Sequence, residues 1–379
     1  MNKYMRKLSS IIGMTMAVVM VTPSVLFADE TPIAIEAATD YTVLQVGSKM
    51  AIDIENATFE VISGENVVHV TTSGDVTGVA DGTAIIVATT DTTSEKIVVQ
   101  VKSDLRYAPS DVIDLDMWKL QMAIENPYKD NQVLEIFPNT ENLQALAVDG
   151  FQYLDERYID EEFFYAELDE YGLALVTYCP VGGYTTPNSS YPRTELREMI
   201  GSGNADNWGW DGMHILNTTQ RVTEIPSNGR TITSQIHGVT ETGGSAAPVI
   251  KVRYDGNVEN PEESKLCAQF KMLSTGGSDH TVYFDEPIPV GQAFDTQIML
   301  VDGVGYVTMT TNDVTQTLSF DFFESDPEWA NLFNYFKAGN YVQDKSENTD
   351  TAAEVRIYAL DIEHYYGDDV DYSLVPTVE

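Results

Sequence analysis

Three short segments in the C-terminal two-thirds of the chain set reactive side chains two residues apart. They are Arg193-Thr194-Glu195-Leu196-Arg197, Gln235-Ile236-His237 and Tyr335-Phe336-Lys337-Ala338-Gly339-Asn340-Tyr341-Val342-Gln343. Successive side chains on a β-strand point to opposite faces, so this spacing gathers each set on one face. As strands, the first presents Arg193, Glu195 and Arg197 together, the second Gln235 and His237, and the third Tyr335, Lys337, Tyr341 and Gln343. Guanidinium groups suit planar carboxylates because two parallel N–H donors match two oxygens. Glu195 would fix the arginines by pairing with one of them. Lys251 and Arg253 share a face of a further strand-like run, so five of the 21 Lys and Arg fall on or beside these strands. His237 can titrate near neutrality, and Tyr341 carries a phenol able to give or take a proton.

Cations, amide, imidazole and phenol on one face specify an anionic, long substrate attacked by proton transfer. β-Elimination on a uronic-acid polymer fits. The sugar C5 proton is poorly acidic while the neighbouring carboxylate keeps its charge, and Arg and amide donors stabilise the enolate-like intermediate. A base then removes the proton and an acid protonates the departing glycosidic oxygen. Neither a metal nor an organic cofactor is required. Taken singly, each set also reads as ordinary structure: a surface ion-pair ladder, a satisfied strand histidine, or packed tyrosines. A jelly-roll glycoside hydrolase would need carboxylates paired across the scissile bond; Glu167-Leu168-Asp169-Glu170 does not fit the Glu-x-Asp-x-x-Glu strand of such enzymes. A non-catalytic polyuronate-binding or adhesion protein could use the cations, but gives no reason for His237 and Tyr341 to join them.

The elements that must position these groups are nearly all strands. Lys3, Arg6 and Lys7 precede an apolar run from Ile11 to Phe27 and a small residue, Ala28, which together predict a secretory signal over 1–28. Its removal would leave no membrane segment. From 41 to 103 the chain is rich in Val, Ile and Thr with Gly-containing turns, which predicts a small β-sandwich. The stretch around Pro109 reads as a linker. Residues 110–379 carry alternating runs such as 173–178, 231–237, 249–254, 304–309 and 354–362, and predict one all-β, two-sheet jelly roll with a concave face for a ligand. Helical patterning is confined to 142–147 and 326–332.

With 59 Asp and Glu the formal charge is -38. Such a surface excludes nucleic acid as a partner, because backbone binding needs a basic face. The clustered cations must therefore make a locally basic cleft in a repulsive surround. Cys179 and Cys267 are the two cysteines; they read equally as a bridge or as two buried thiols.

Two resemblances add to this reading. Val46-Gly47-Ser48, the run from Ser73 to Val79 and the run from Asp81 to Val87 resemble the bacterial Ig-like (group 2) modules of surface and secreted proteins, which act as spacers or adhesive units. The three reactive segments resemble the signature regions of the alginate lyases of polysaccharide lyase family 7: Arg-(Ser/Thr)-Glu-Leu-Arg, Gln-(Ile/Val)-His and Tyr-Phe-Lys-Ala-Gly-x-Tyr-x-Gln. Every fixed position is matched, in order, and supporting similarity covers roughly 110–366. The resemblance implies a secreted, monomeric β-jelly-roll lyase that cleaves alginate, an anionic polysaccharide, to oligosaccharides with an unsaturated non-reducing end. It implies that Arg193 and Gln235 neutralise the C5 carboxylate, that Tyr341 is the general acid, and that His237 is the base for guluronate. For mannuronate Tyr341 would do both jobs. Arg197, Lys337, Gln343, Lys251 and Arg253 would bind or orient substrate, with Glu195 and Tyr335 in support. Ile236, in place of Val, leans towards guluronate-containing blocks. Another polyuronate, such as glucuronan, is the nearest alternative substrate.

Overall fold

The computed structural model describes residues 40–103, 105–127, 129–138, 153–155, 157–186, 189–201 and 206–378. The expected signal over 1–28 and the expected helix over 142–147 lie outside these residues. The chain divides into two compact units, one ending at Leu105 and the other beginning at Arg106.

The first unit holds β1 (Asp40–Gln45), β2 (Lys49–Ala51), β3 (Thr58–Ser63), β4 (Val68–Val70), β5 (Asp75–Gly78), β6 (Gly82–Thr89) and β7 (Ser94–Lys102). They form two sheets, β1-β7-β6-β3 and β2-β5-β4. The period of two is visible in what each strand buries: Ala84, Ile86 and Ala88 from β6, and Ile97, Val99 and Val101 from β7, close one core with Leu44, Val68 and Val76.

The second unit holds β8 (Trp118–Glu125), β9 (Val133–Ile136), β10 (Phe164–Asp169), β11 (Gly172–Pro180), β12 (Arg193–Glu198), β13 (Met213–Glu224), β14 (Arg230–Val239) and β15 (Ser245–Asp255). It continues with β16 (Lys265–Leu273), β17 (Gly276–Tyr283), β18 (Ala293–Val301), β19 (Val304–Thr311), β20 (Val314–Asp321), β21 (Phe333–Val342) and β22 (Ala352–Tyr365). An eight-stranded sheet, β17-β16-β15-β14-β21-β12-β8-β9, packs on a seven-stranded one, β10-β11-β22-β13-β18-β19-β20. Leu120, Leu196, Ile236, Val252 and Phe336 from the first meet Leu216, Ile298, Val307, Val355 and Ile357 from the second. Each such side chain contributes about 1.5–3 kcal/mol by leaving water. This is the two-sheet jelly roll. The helical pattern at 326–332 becomes a 3-10 turn, Pro327–Asn331, with Asp326 accepting from the Glu328 N–H; Pro327 suits a first helical position, and Leu332 is already extended. Among the described residues no helix is long and apolar enough to cross a membrane.

The three reactive segments are neighbours, in the order β14-β21-β12. On the β12–β21 ladder Arg193 faces Tyr341, Glu195 faces Gly339 and Arg197 faces Lys337. On the β14–β21 ladder Gln235 faces Lys337 and His237 faces Tyr335. Outward, Arg197 faces Lys119 of β8 and Gln235 faces Lys251 of β15. One row thus crosses five strands, a band about 19 Å long at the usual interstrand spacing. Between Ala338 and Tyr341, β21 has one residue more than the facing stretch of β14 from Ser234 to Ile232. Gly339 takes up this bulge at φ +135°. A Cβ there would sit 2.8 Å from the Thr194 carbonyl oxygen and 3.0 Å from the Glu195 Cα; the close approach of β21 to β12 therefore requires glycine.

Candidate active site

The even-numbered side chains of β12, Thr194, Leu196 and Glu198, point into the sandwich; Arg193, Glu195 and Arg197 take the other face, as the spacing predicts. Glu195 is 0% exposed and is the anchor of that face. Gln235 Nε2 donates to its Oε1 at 2.5 Å, Arg193 Nη1 donates to its Oε2 at 3.2 Å, and Lys337 Nζ pairs with the same Oε2. Burial alone would raise the carboxyl's pKa. The Lys337 and Arg193 cations, together with the hydrogen bonds from Lys337 and Gln235, outweigh burial and hold Glu195 below the usual carboxylate range. Burial, with Arg193 beside it, pushes the Lys337 ammonium down to about 7. Glu195 was expected to pair with one of the arginines. It does, with Arg193, and it also collects one donor from the adjacent β21, Lys337, and one from β14 beyond it, Gln235.

Over this buried floor lie the groups that keep contact with solvent: His237, Tyr335 and Tyr341 are all partly exposed. His237 Nδ1 lies 2.8 Å from the Gly238 carbonyl oxygen. A carbonyl only accepts, so Nδ1 carries the hydrogen and Nε2 keeps its lone pair. Burial, then the Lys337 and Arg193 cations, pushes the imidazole down to about 3; at neutral pH it is an uncharged base. Its ring stacks on Tyr335 at 5.4 Å and 14°, and burial raises the Tyr335 phenol above its ordinary range. The Arg193 guanidinium lies 3.6 Å over the Tyr341 ring. Tyr341 Oη is 3.1 Å from Ser189 Oγ, and the Tyr191 ring meets Tyr341 edge-on at 6.2 Å. Contacts run from Tyr341 through Arg193 and Glu195 to Gln235, with His237 two residues further on the same face. An uncharged imidazole and a phenol bracket two donors.

The remaining cations are engaged with other groups. Arg197 stacks its guanidinium over the Tyr335 ring at 4.0 Å and donates to Asn207 Oδ1 at 2.9 Å and to the Glu198 carbonyl at 3.2 Å. Lys251 pairs with Asp279 at 2.8 Å, and Lys271 reaches the same carboxylate at 2.5 Å. Arg253 forks onto Asp255 at 2.5 and 2.6 Å. Gln343 lies just past the end of β21 and turns its amide back to the Tyr341 and Val342 carbonyls at 3.4 and 3.3 Å. Lys251 and Arg253 therefore form an ion-paired margin three strands from β12, while Arg193, Gln235, His237 and Tyr341 share the centre. Three contributors were not anticipated. Ser189 and Tyr191 come from the irregular stretch before β12 and have no strand period to reveal them. Lys119, paired with Glu135 at 2.9 Å, sits in the Trp118-Lys119-Leu120 stretch and extends the cationic row.

Among the described residues no three His, Cys, Asp or Glu side chains are grouped to hold a metal ion. Cys179 and Cys267 are separate buried thiols on different sheets. Burial raises both above the ordinary thiol range, Cys267 to about 12, so neither is a nucleophile at neutral pH.

Fold and site together define a two-sheet β-jelly roll whose outer face gathers buried cations, an amide, a neutral imidazole and phenols. Residues 113–364 match the family model described as alginate lyase, and the chain belongs to that family of polysaccharide lyases. Among solved structures it is similar to alginate lyase A1-II', a member of polysaccharide lyase family 7, at 37% identity and TM-score 0.56 over 69% of this chain and 100% of that one. A variant of that enzyme with a histidine and a tyrosine replaced was solved in complex with substrate (GGMG); it is 35% identical, with TM-score 0.57 over 69% of this chain and 98% of that one. Alginate lyase PA1167 from Pseudomonas aeruginosa is 25% identical, with TM-score 0.53 over 66% of this chain and 100% of that one. No curated protein matches the chain.

Proposed function

We propose that this lyase is secreted and cleaves the 1,4-glycosidic bonds of alginate by β-elimination, with a preference for guluronate-containing blocks. The observation that carries the reading is the bracketing of Glu195-anchored Arg193 and Gln235 by a neutral imidazole and a phenol. Arg193 and the second amide N–H of Gln235 meet the sugar carboxylate and draw charge from C5. On guluronate, His237 Nε2 takes the C5 proton. Tyr341 gives its proton to the glycosidic oxygen, the C4–O bond breaks and the C4=C5 bond forms. On mannuronate Tyr341 serves as both base and acid. Support also comes from the relative crystallised with GGMG, in which a histidine and a tyrosine had been replaced. Arg197 and Lys337, both buried, shape the floor by holding Asn207 and Glu195. The basic leader with its apolar run supports secretion, and the seven-stranded first unit is read as an Ig-like spacer. The enzyme acts as a monomer.

The test is to incubate the protein with polyguluronate, polymannuronate, alginate and glucuronan and follow ultraviolet absorbance from the new C4=C5 bond. Absorbance should rise fastest with polyguluronate. A flat trace on all four polymers would defeat the reading, and a clear excess with polymannuronate would reverse the preference.

A further inference from the structure

Ser189, which stands four residues before the floor of the site, makes more polar contacts than one hydroxyl can satisfy with lone pairs alone. Its Oγ receives the Arg193 Nη2–H at 3.0 Å and the Tyr191 backbone N–H at 3.2 Å. The same oxygen lies 3.1 Å from the Tyr191 carbonyl and 3.1 Å from Tyr341 Oη. A serine hydroxyl has two lone pairs and one hydrogen. Arg193 and the Tyr191 N–H occupy both lone pairs, so towards the two remaining oxygens Ser189 can act only as a donor. Towards Tyr341 this leaves a single polarity: Ser189 donates and the phenolic oxygen accepts. The phenol's own hydrogen then has no partner in Ser189 and is free to turn into the groove.

We propose that Ser189 is a further catalytic residue of this enzyme, the donor that keeps the Tyr341 proton directed at substrate and then stabilises the phenolate left behind. The inference rests on Tyr341 being the acid. When Tyr341 passes its proton to the glycosidic oxygen, negative charge develops on Oη. The Ser189 hydrogen, shared until then with the Tyr191 carbonyl, commits to that oxygen. A hydrogen bond to a charged oxygen is stronger than one to a neutral oxygen, so the contact strengthens along the reaction, which is the condition for a contact to accelerate it. Arg193, held by Ser189 on one side and Glu195 on the other, places its charge over the same ring.

The test uses the full chain with Ser189→Ala and Ser189→Thr, assayed on polyguluronate by ultraviolet absorbance, with oligoguluronate binding and thermal melting measured alongside. Ser189→Ala should lower kcat roughly tenfold to a hundredfold, the size of one hydrogen bond to a charged group, with KM and oligosaccharide binding little changed. Ser189→Thr keeps the hydroxyl and should recover most of the rate. Wild-type kcat in Ser189→Ala would overturn the proposal. So would an equal loss in both variants, or a loss confined to KM. Tyr341→Phe is run in parallel: if it turns over normally, the acid assignment itself falls and this proposal with it. A dead Tyr341→Phe beside a fully active Ser189→Ala removes the role of Ser189 alone.

Discussion

Replacing Glu195 by alanine should destabilise the second unit by about 3–5 kcal/mol, the usual cost of breaking a buried ion pair from one side. The figure follows from what is left behind. Arg193 and Lys337 are both nearly excluded from solvent, at 10% and 5% side-chain exposure, and both point at the vanished carboxylate. The guanidinium cannot shed its charge. Lys337 can, because burial already brings it to about 7. A base whose folded pKa lies below its unfolded value loses stability as pH falls from the unfolded value to the folded one, where the loss levels off. Without Glu195 that value drops further, so the deficit should widen below about pH 7. At roughly 2–4 °C per kcal/mol for a unit of this size, melting should fall by roughly 6–20 °C. Adding Lys337→Met removes one stranded cation. The double variant should then be less impaired than the sum of the singles by roughly 0.5–3 kcal/mol. Thermal melts at pH 6 and pH 9 on the four proteins of the cycle decide it. A Glu195→Ala variant melting within about 2 °C of wild type, or strictly additive deficits, would refute Glu195 as the shared anchor.

Tyr341→Phe should abolish turnover while oligosaccharide affinity, read by calorimetry, stays within about threefold of wild type; substantial residual turnover removes Tyr341 from the acid role. His237→Gln should eliminate activity on polyguluronate yet leave much of that on polymannuronate, and equal losses on both would contradict a substrate-specific base. His237 and the fully buried His214 are both pushed to about 3 by burial. Histidines depressed in the folded state give stability above their unfolded pKa of about 6.5 that is lost as pH falls towards 3, at about 1.4 kcal/mol per pH unit each. Urea midpoints between pH 6 and pH 4 should therefore fall less steeply in His237→Gln than in wild type; parallel slopes would sink that assignment. Gly339→Ala should cost at least about 1–3 kcal/mol, because a side chain at φ +135° is strained and its Cβ meets the Thr194 carbonyl. A urea midpoint unchanged within error would show that the bulge tolerates a Cβ.

Much of this arrangement can be read from spacing. Arg193, Glu195 and Arg197 share a face because a strand repeats every two residues, and Leu196 between them joins the core. Gly339 inside the third segment is a bulge signal, since glycine weakens a strand unless backbone must approach backbone. Arg253 and Asp255 stand two apart on one strand, so their pairing could have been anticipated. What spacing cannot supply is the sheet order. β12 and β21 are far apart in the sequence, and they become neighbours only because two sheets must cover each other's apolar faces. Partners fixed by that order were hidden with it: Asp279 for Lys251, Glu135 for Lys119, and Lys337 for Glu195. Ser189 and Tyr191 were hidden for another reason, because an irregular segment has no period to show where its side chains point. The thiols were ambiguous in sequence because apolar strands suit a bridge and buried cysteines equally; in the structure both are free and buried.

The central claim is that the bond is broken by proton transfer without water entering the products. Digestion of alginate in water labelled with heavy oxygen, followed by mass spectrometry of the oligosaccharides, tests this most directly. Products should carry no label from cleavage and should show an unsaturated end absorbing in the ultraviolet, and Tyr341→Phe should form none of them. Saturated products with one labelled oxygen per cleavage would mean hydrolysis, and would contradict the roles given to His237 and Tyr341.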